Sequence, residues 1–76
     1  MSQATVMNTR NNILSSREIE VLKKLMKGYD PQQVADKLNC SIATIKTHIR
    51  HIHAKLNVNT TTKSIAWGFK NGLDKD

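Results

Sequence analysis

The sequence predicts an all-α domain of four helices, the second and third joined as a helix-turn-helix. Three observations predict it. Apolar residues recur at intervals of three and four along most of the chain, the period of helices packed on one side. Each run follows a Ser, Asp or Thr suited to an N-cap and ends at a Gly or Asn suited to a left-handed stop. The second and third runs are separated only by Asn39-Cys40-Ser41, the turn length of a helix-turn-helix. At 76 residues the chain is read as one domain over 13–73, with a flexible arm or linker over 1–12 and a short tail over 74–76.

The first helix starts at Ser15-Ser16-Arg17-Glu18, a capping box with Ser15 as N-cap and Glu18 at N3. Leu14 and Ile19 hold the two positions of a hydrophobic staple. Ile19, Leu22, Leu25 and Met26 follow helical spacing, widened by Val21. Lys23, Lys24 and Lys27 suit the negative end of the helix dipole, and Gly28 and Tyr29 supply a glycine stop with its apolar fold-back. Asp30 then caps a short second helix, with Pro31 at N1 and Gln33 completing a second capping box. It ends near Leu38 or Asn39. Ser41 caps the third helix, Ile42–Leu56, which stops at Asn57 with Val58 folding back. Residues 59–62 form a turn with a choice of caps, and the fourth helix is expected from Lys63 to Asn71, stopped by Gly72.

The third helix has two dissimilar sides. Ile45, Ile49, Ile52 and Leu56 make an aliphatic stripe, with Ile42 at its edge. The opposite side carries Ala43, Thr47, Arg50 and Ala54, flanked by Lys46 and His51, and has no acid. The charge distribution points the same way. The chain carries +6 overall, and from Lys37 to Leu73 there are six Lys or Arg and no Asp or Glu. A concentrated positive field around one helix is suited to nucleic acid. On the fourth helix, Trp67 lies nearly opposite Ile65 and Phe69, and Ser64 and Gly68 are small enough to admit another helix. One face of this helix is therefore a candidate subunit contact.

Other chemistries find little support. Cys40 is the only cysteine, so no internal disulfide forms and a reducing cytoplasm is the expected location. No apolar run approaches the ~18 residues of a membrane span, and residues 1–12 lack the order of a signal peptide. His48, His51 and His53 do not share one side of a helix, so with Cys40 they make no metal set, and no cofactor is expected. There is no carboxylate pair on one face, no Gly-rich phosphate loop and no nucleophile with a placed base, so an enzyme is not expected.

Taken together, Leu14-Ser15-Ser16-Arg17-Glu18-Ile19-Glu20-Val21-Leu22, Gly28, Val34-Ala35-x-x-Leu38 and Ser41-x-x-Thr44-Ile45-Lys46-x-His48-x-x-x-Ile52-x-x-Lys55-Leu56-x-Val58 resemble the LuxR-type (GerE-like) DNA-binding domain. The resemblance runs from about Leu14 to Gly68. It implies a bacterial transcription regulator, of the kind found in response regulators, whose third helix enters the major groove of double-stranded DNA. It also implies a homodimer on DNA formed through the fourth helix, with RNA polymerase as a further partner and no small-molecule ligand in this domain. Position by position, Lys46, Thr47 and Arg50 fall on the base-reading positions, the same three that the helical wheel turns outward. Ser41, Thr44 and Lys55 fall on phosphate-contact positions, with Gln32 and His51 as further backbone contacts. Ser64, Trp67, Gly68 and Asn71 are the expected dimer contacts.

The departures from the family pattern are Pro31 where a polar residue is common, Gln33 for Glu, Asn57 for Gly, Thr61 for Arg and Ser64 for Ala. The last two bear on the fourth helix and leave the groove face untouched. The competing expectation is a protein-interaction module that pairs with a larger LuxR-type regulator and modulates it. Lys46, Thr47 and Arg50 favour DNA over that reading, because an interaction-only relative could carry acids or bulky apolar residues there.

Overall fold

A computed structural model describes residues 13–75. The predicted arm over residues 1–12 lies outside the described residues. The chain forms α1 (Ser16–Met26), α2 (Pro31–Leu38), α3 (Ile42–Leu56) and α4 (Thr61–Lys70), followed by a single 3₁₀ turn, Leu73–Lys75. This is the all-α, four-helix, helix-turn-helix arrangement that the sequence predicts.

Local chemistry sets most of the helix ends. Ser15 Oγ accepts the Glu18 N–H at 3.2 Å, and the Glu18 carboxylate accepts the Ser15 N–H at 2.9 Å. Asp30 and Gln33 repeat the exchange at α2, at 2.8 and 2.9 Å. Beyond α1, Gly28 has φ +98 and passes its N–H to Leu25 O, while the Tyr29 N–H reaches back to Lys24 O. That paired closure needs a left-handed residue at the corner, which glycine adopts without a Cβ penalty. Asn39 and Asn57 do the same work for α2 and α3 at φ 61 and 57. The fourth helix differs from expectation. Thr60, the earliest of the three adjacent threonines, is the N-cap and accepts the Lys63 N–H at 3.1 Å. The helix therefore opens at Thr61, two residues before Lys63, and closes at Lys70.

The core is Leu14, Val21, Leu22, Leu25, Val34, Ala35, Ile45, Ile52 and Leu73. The isoleucine stripe of α3 supplies its centre: Ile45 is 0 % and Ile52 1 % exposed. Ile42, Ile49 and Leu56 pack against it from the edge. α3 touches α1, α2 and α4, so three helices grip its aliphatic side. Leu73 enters the same core at the 3₁₀ turn, which continues through Asp74 and Lys75 where the sequence suggests only a tail. Arg17 adds a polar tie by donating to Leu38 O at 3.1 Å, which holds the start of α1 to the end of α2.

Candidate nucleic-acid interface

With its aliphatic stripe fixed in the core, α3 turns a polar and basic side to solvent. Ala43, Lys46, Arg50 and Ala54 are exposed, and Thr47 is half-buried. Among the described residues, neither Lys46 nor Arg50 has a hydrogen-bond or ion-pair partner. Their charges are uncompensated on a face whose small alanines leave room for close approach. At the head of the helix, Ser41 Oγ accepts the Thr44 N–H at 3.1 Å and lies 3.0 Å from Thr44 Oγ1. Both residues are exposed, so two hydroxyls sit beside the N–H groups of the first turn, a favourable environment for an anion.

The backbone-contact set is less uniform. Lys55 Nζ lies 2.7 Å from Glu18 Oε1, and His51 Nδ1 lies 3.8 Å from Glu18 Oε2. Glu18 is only 4 % exposed, while the Lys55 side chain keeps 42 % of its surface in water. Lys55 is thus a structural tie between α3 and the first turn of α1, not an idle cation awaiting phosphate. From its sequence neighbours Glu18 reads only as a cap. The signal for its second role is the i, i+4 pair His51 and Lys55 on the flank of α3, beside an aliphatic stripe that must face α1. Gln32 is exposed, but its amide donates to Asp36 along α2 at 3.2 Å.

Burial pushes the Glu18 carboxyl up, but the hydrogen bonds from Lys55 and the Ser15 N–H, with the nearby Lys55 charge, outweigh it and hold the group below its usual range. A carboxyl lowered in the folded state stabilises the fold fully above its unfolded value near 4.5. That stabilisation is lost as pH falls through the folded value. Lys55→Met should therefore lower the melting point most above about pH 4.5, and the gap to wild type should close as Glu18 protonates. At neutral pH it should cost about 1–2 kcal/mol, between an exposed and a fully buried pair. Thermal melts of both proteins from pH 7 to pH 2 check this; a melting-point gap that stayed constant down to pH 2 would refute it.

The histidines fall on two flanks of α3. His48 is half-buried and its Nδ1 has no partner, while His53 Nε2 lies 3.5 Å from Thr61 Oγ1 on α4. Among the described residues, no three of His, Cys, Asp and Glu gather as a metal set.

The expected dimer contacts need correction. Ser64 is 1 % exposed, and its hydroxyl donates to Thr60 O and Thr61 O at 3.3 and 3.0 Å. Gly68 is buried against α1, where an added Cβ would come 2.5 Å from Met26 Sδ. Trp67 packs half-buried on the core, and Asn71 Nδ2 donates to Trp67 O at 2.8 Å. These four residues lie on the side of α4 that faces its own domain. The small residues do admit a neighbouring helix, and that helix is α1. The outward side is Thr62, Lys63, Ala66 and Lys70, with exposed Phe69 at its edge.

Residues 12–67 match the family model described as "Bacterial regulatory proteins, luxR family". The chain is also similar to the "Response regulator protein VraR" of Staphylococcus aureus, 36 % identical over 61 residues. That match covers 80 % of this chain and 29 % of the relative. The proteins of the same name from Staphylococcus saprophyticus and Staphylococcus epidermidis match to the same extent. The chain thus spans under a third of the length of these curated relatives.

Proposed function

The chain belongs to the luxR family of bacterial regulatory proteins, and from that premise we propose that it is a sequence-specific double-stranded DNA-binding regulator of transcription, not an enzyme. α3 lies in the major groove. Lys46 and Arg50 pair with guanine O6 and N7, and the Thr47 methyl meets a thymine. Ser41 and Thr44 hold a phosphate at the head of the helix, with Gln32 and His51 reaching backbone nearby and Lys55 contributing its field from the Glu18 tie. The observation that carries this reading is the acid-free outer side of α3, with two uncompensated cations between small residues. The site of action is the cytoplasm, where the DNA is; among the described residues no helix is long and apolar enough to cross a membrane. RNA polymerase is the partner through which a bound regulator would act.

The test is selection of bound sites from random duplexes at two salt concentrations. A motif enriched at both concentrations supports the reading. Binding that is uniform over sequences and vanishes with salt would reduce the domain to a nonspecific polyanion binder. No binding at low salt would favour the protein-interaction alternative.

Two copies dock on half-sites about one helical turn apart and meet through the outward side of α4, around Thr62 and Ala66. Ala66→Arg adds bulk and a third positive charge beside Lys63 and Lys70. It should lower affinity for a paired site at least about tenfold, roughly 1.4 kcal/mol, and leave affinity for a single half-site unchanged. Gel-shift titrations on both duplexes measure it, and equal losses on the two would argue against this contact.

A further inference from the structure

A second surface lies along α1. It is an open groove of about 380 Å³ whose floor is Met26, Leu38, Phe69 and Leu73. Lys23, Lys24 and Lys27 stand along its rim, with Glu20 and Asp74 as the acids. No lining residue belongs to α3, so the groove can be filled while α3 is occupied.

We propose that this groove docks an acidic amphipathic segment of another protein, with apolar side chains on the floor and carboxylates against the lysines. Charge selects the occupant. Glu20 is already engaged by Arg17 at 2.7 Å, which leaves Asp74 as the rim's other acid beside Lys24 and Lys27. Electrostatic complementarity of this kind sets partner choice. The floor supplies the apolar anchor, since Phe69 keeps 49 % of its surface in water, a high value for a large aromatic side chain. This chain's own segments match poorly. Residues 1–12 contain one charged side chain, Arg10, and no acid. The outward side of α4 in a second copy would bring Lys63 and Lys70 against a lysine rim. The inference stands apart from the reading of bases by α3, because it uses no residue of that helix.

The probe is a short helical peptide with Leu at i, i+3, i+4 and i+7 and Glu elsewhere, titrated into the ¹⁵N-labelled chain. A counterpart with Lys in place of Glu is the control. Saturable shifts centred on Met26, Phe69 and Leu73, with Kd of about 1 mM or tighter, are expected. The variant with Lys24→Gln and Lys27→Gln should bind about tenfold more weakly or worse. Phe69→Ser should lose binding by removing the anchor; its side chain is exposed, so the fold survives. Several results would overturn the proposal: no saturable shift, equal binding of the Lys peptide, or shifts centred on α3, where an acidic peptide would merely imitate a polyanion. Concentration-dependent shifts at the groove without peptide would assign it to a second copy and overturn it equally.

Discussion

Replacing both Lys46 and Arg50 by alanine is expected to erase the domain's preference for one duplex sequence over another while leaving its helical spectrum and melting point unchanged. A bidentate contact to guanine contributes about 1–3 kcal/mol of discrimination, so two independent contacts contribute about 2–6 kcal/mol, or roughly thirtyfold to 10⁴-fold. The fold should not respond, because both side chains are exposed and neither has a partner among the described residues. Each single variant should relax a different base pair. Thr47→Ala should cost less, since a half-buried methyl offers only an apolar contact. Competition titrations against the selected site and a scrambled duplex give the ratio directly. A double variant that keeps the wild-type ratio would remove Lys46 and Arg50 from the reading of sequence, whatever the domain then binds.

The second large effect is on stability. Ile45→Ala removes a side chain that is 0 % exposed on the aliphatic side of α3, the helix that packs against α1, α2 and α4. Such truncations cost about 2–5 kcal/mol, the lost transfer energy plus the cavity left behind. A domain of this size has net stability on the order of 5 kcal/mol, so the variant should be near or past the point of unfolding at 37 °C. The melting point should fall by more than about 10 °C, since 1 kcal/mol corresponds to about 4–8 °C in a domain this small. Ile42→Ala, half-buried at the edge of the same stripe, should lose well under half as much. Urea unfolding followed by circular dichroism compares the two, and equal losses would mean that the stripe is not anchored at its centre. Loss of DNA binding by Ile45→Ala should follow the unfolded fraction and nothing else.

Much of the fold is legible in the sequence. Ser15, Asp30 and Ser41 cap the helices where the sequence places them, and Asn39 and Asn57 take the left-handed stops. Each of these features closes within one helical turn, so the residues that decide it are neighbours in the chain. The start of α4 is less legible. Three adjacent threonines offer three possible caps, and the earliest is the one used. The wheel of α3 is legible too, because a helix with one aliphatic side has a single way to face a core. The same wheel puts Lys46, Thr47 and Arg50 on the side away from that core.

The sequence by itself determined the helix class, most of the caps and which side of α3 is free. Tertiary structure decided what the free and small positions meet. Glu18 reads as a cap from its neighbours, yet its carboxylate also receives Lys55, 37 residues away. Ser64 and Gly68 show that a helix comes close, and only the packed domain shows that it is α1, through Met26 against Gly68. The physical reason is the same in both cases. Hydrogen bonds and dihedral preferences within a turn are fixed by adjacent residues, whereas a cross-helix partner depends on how four short helices share one small core.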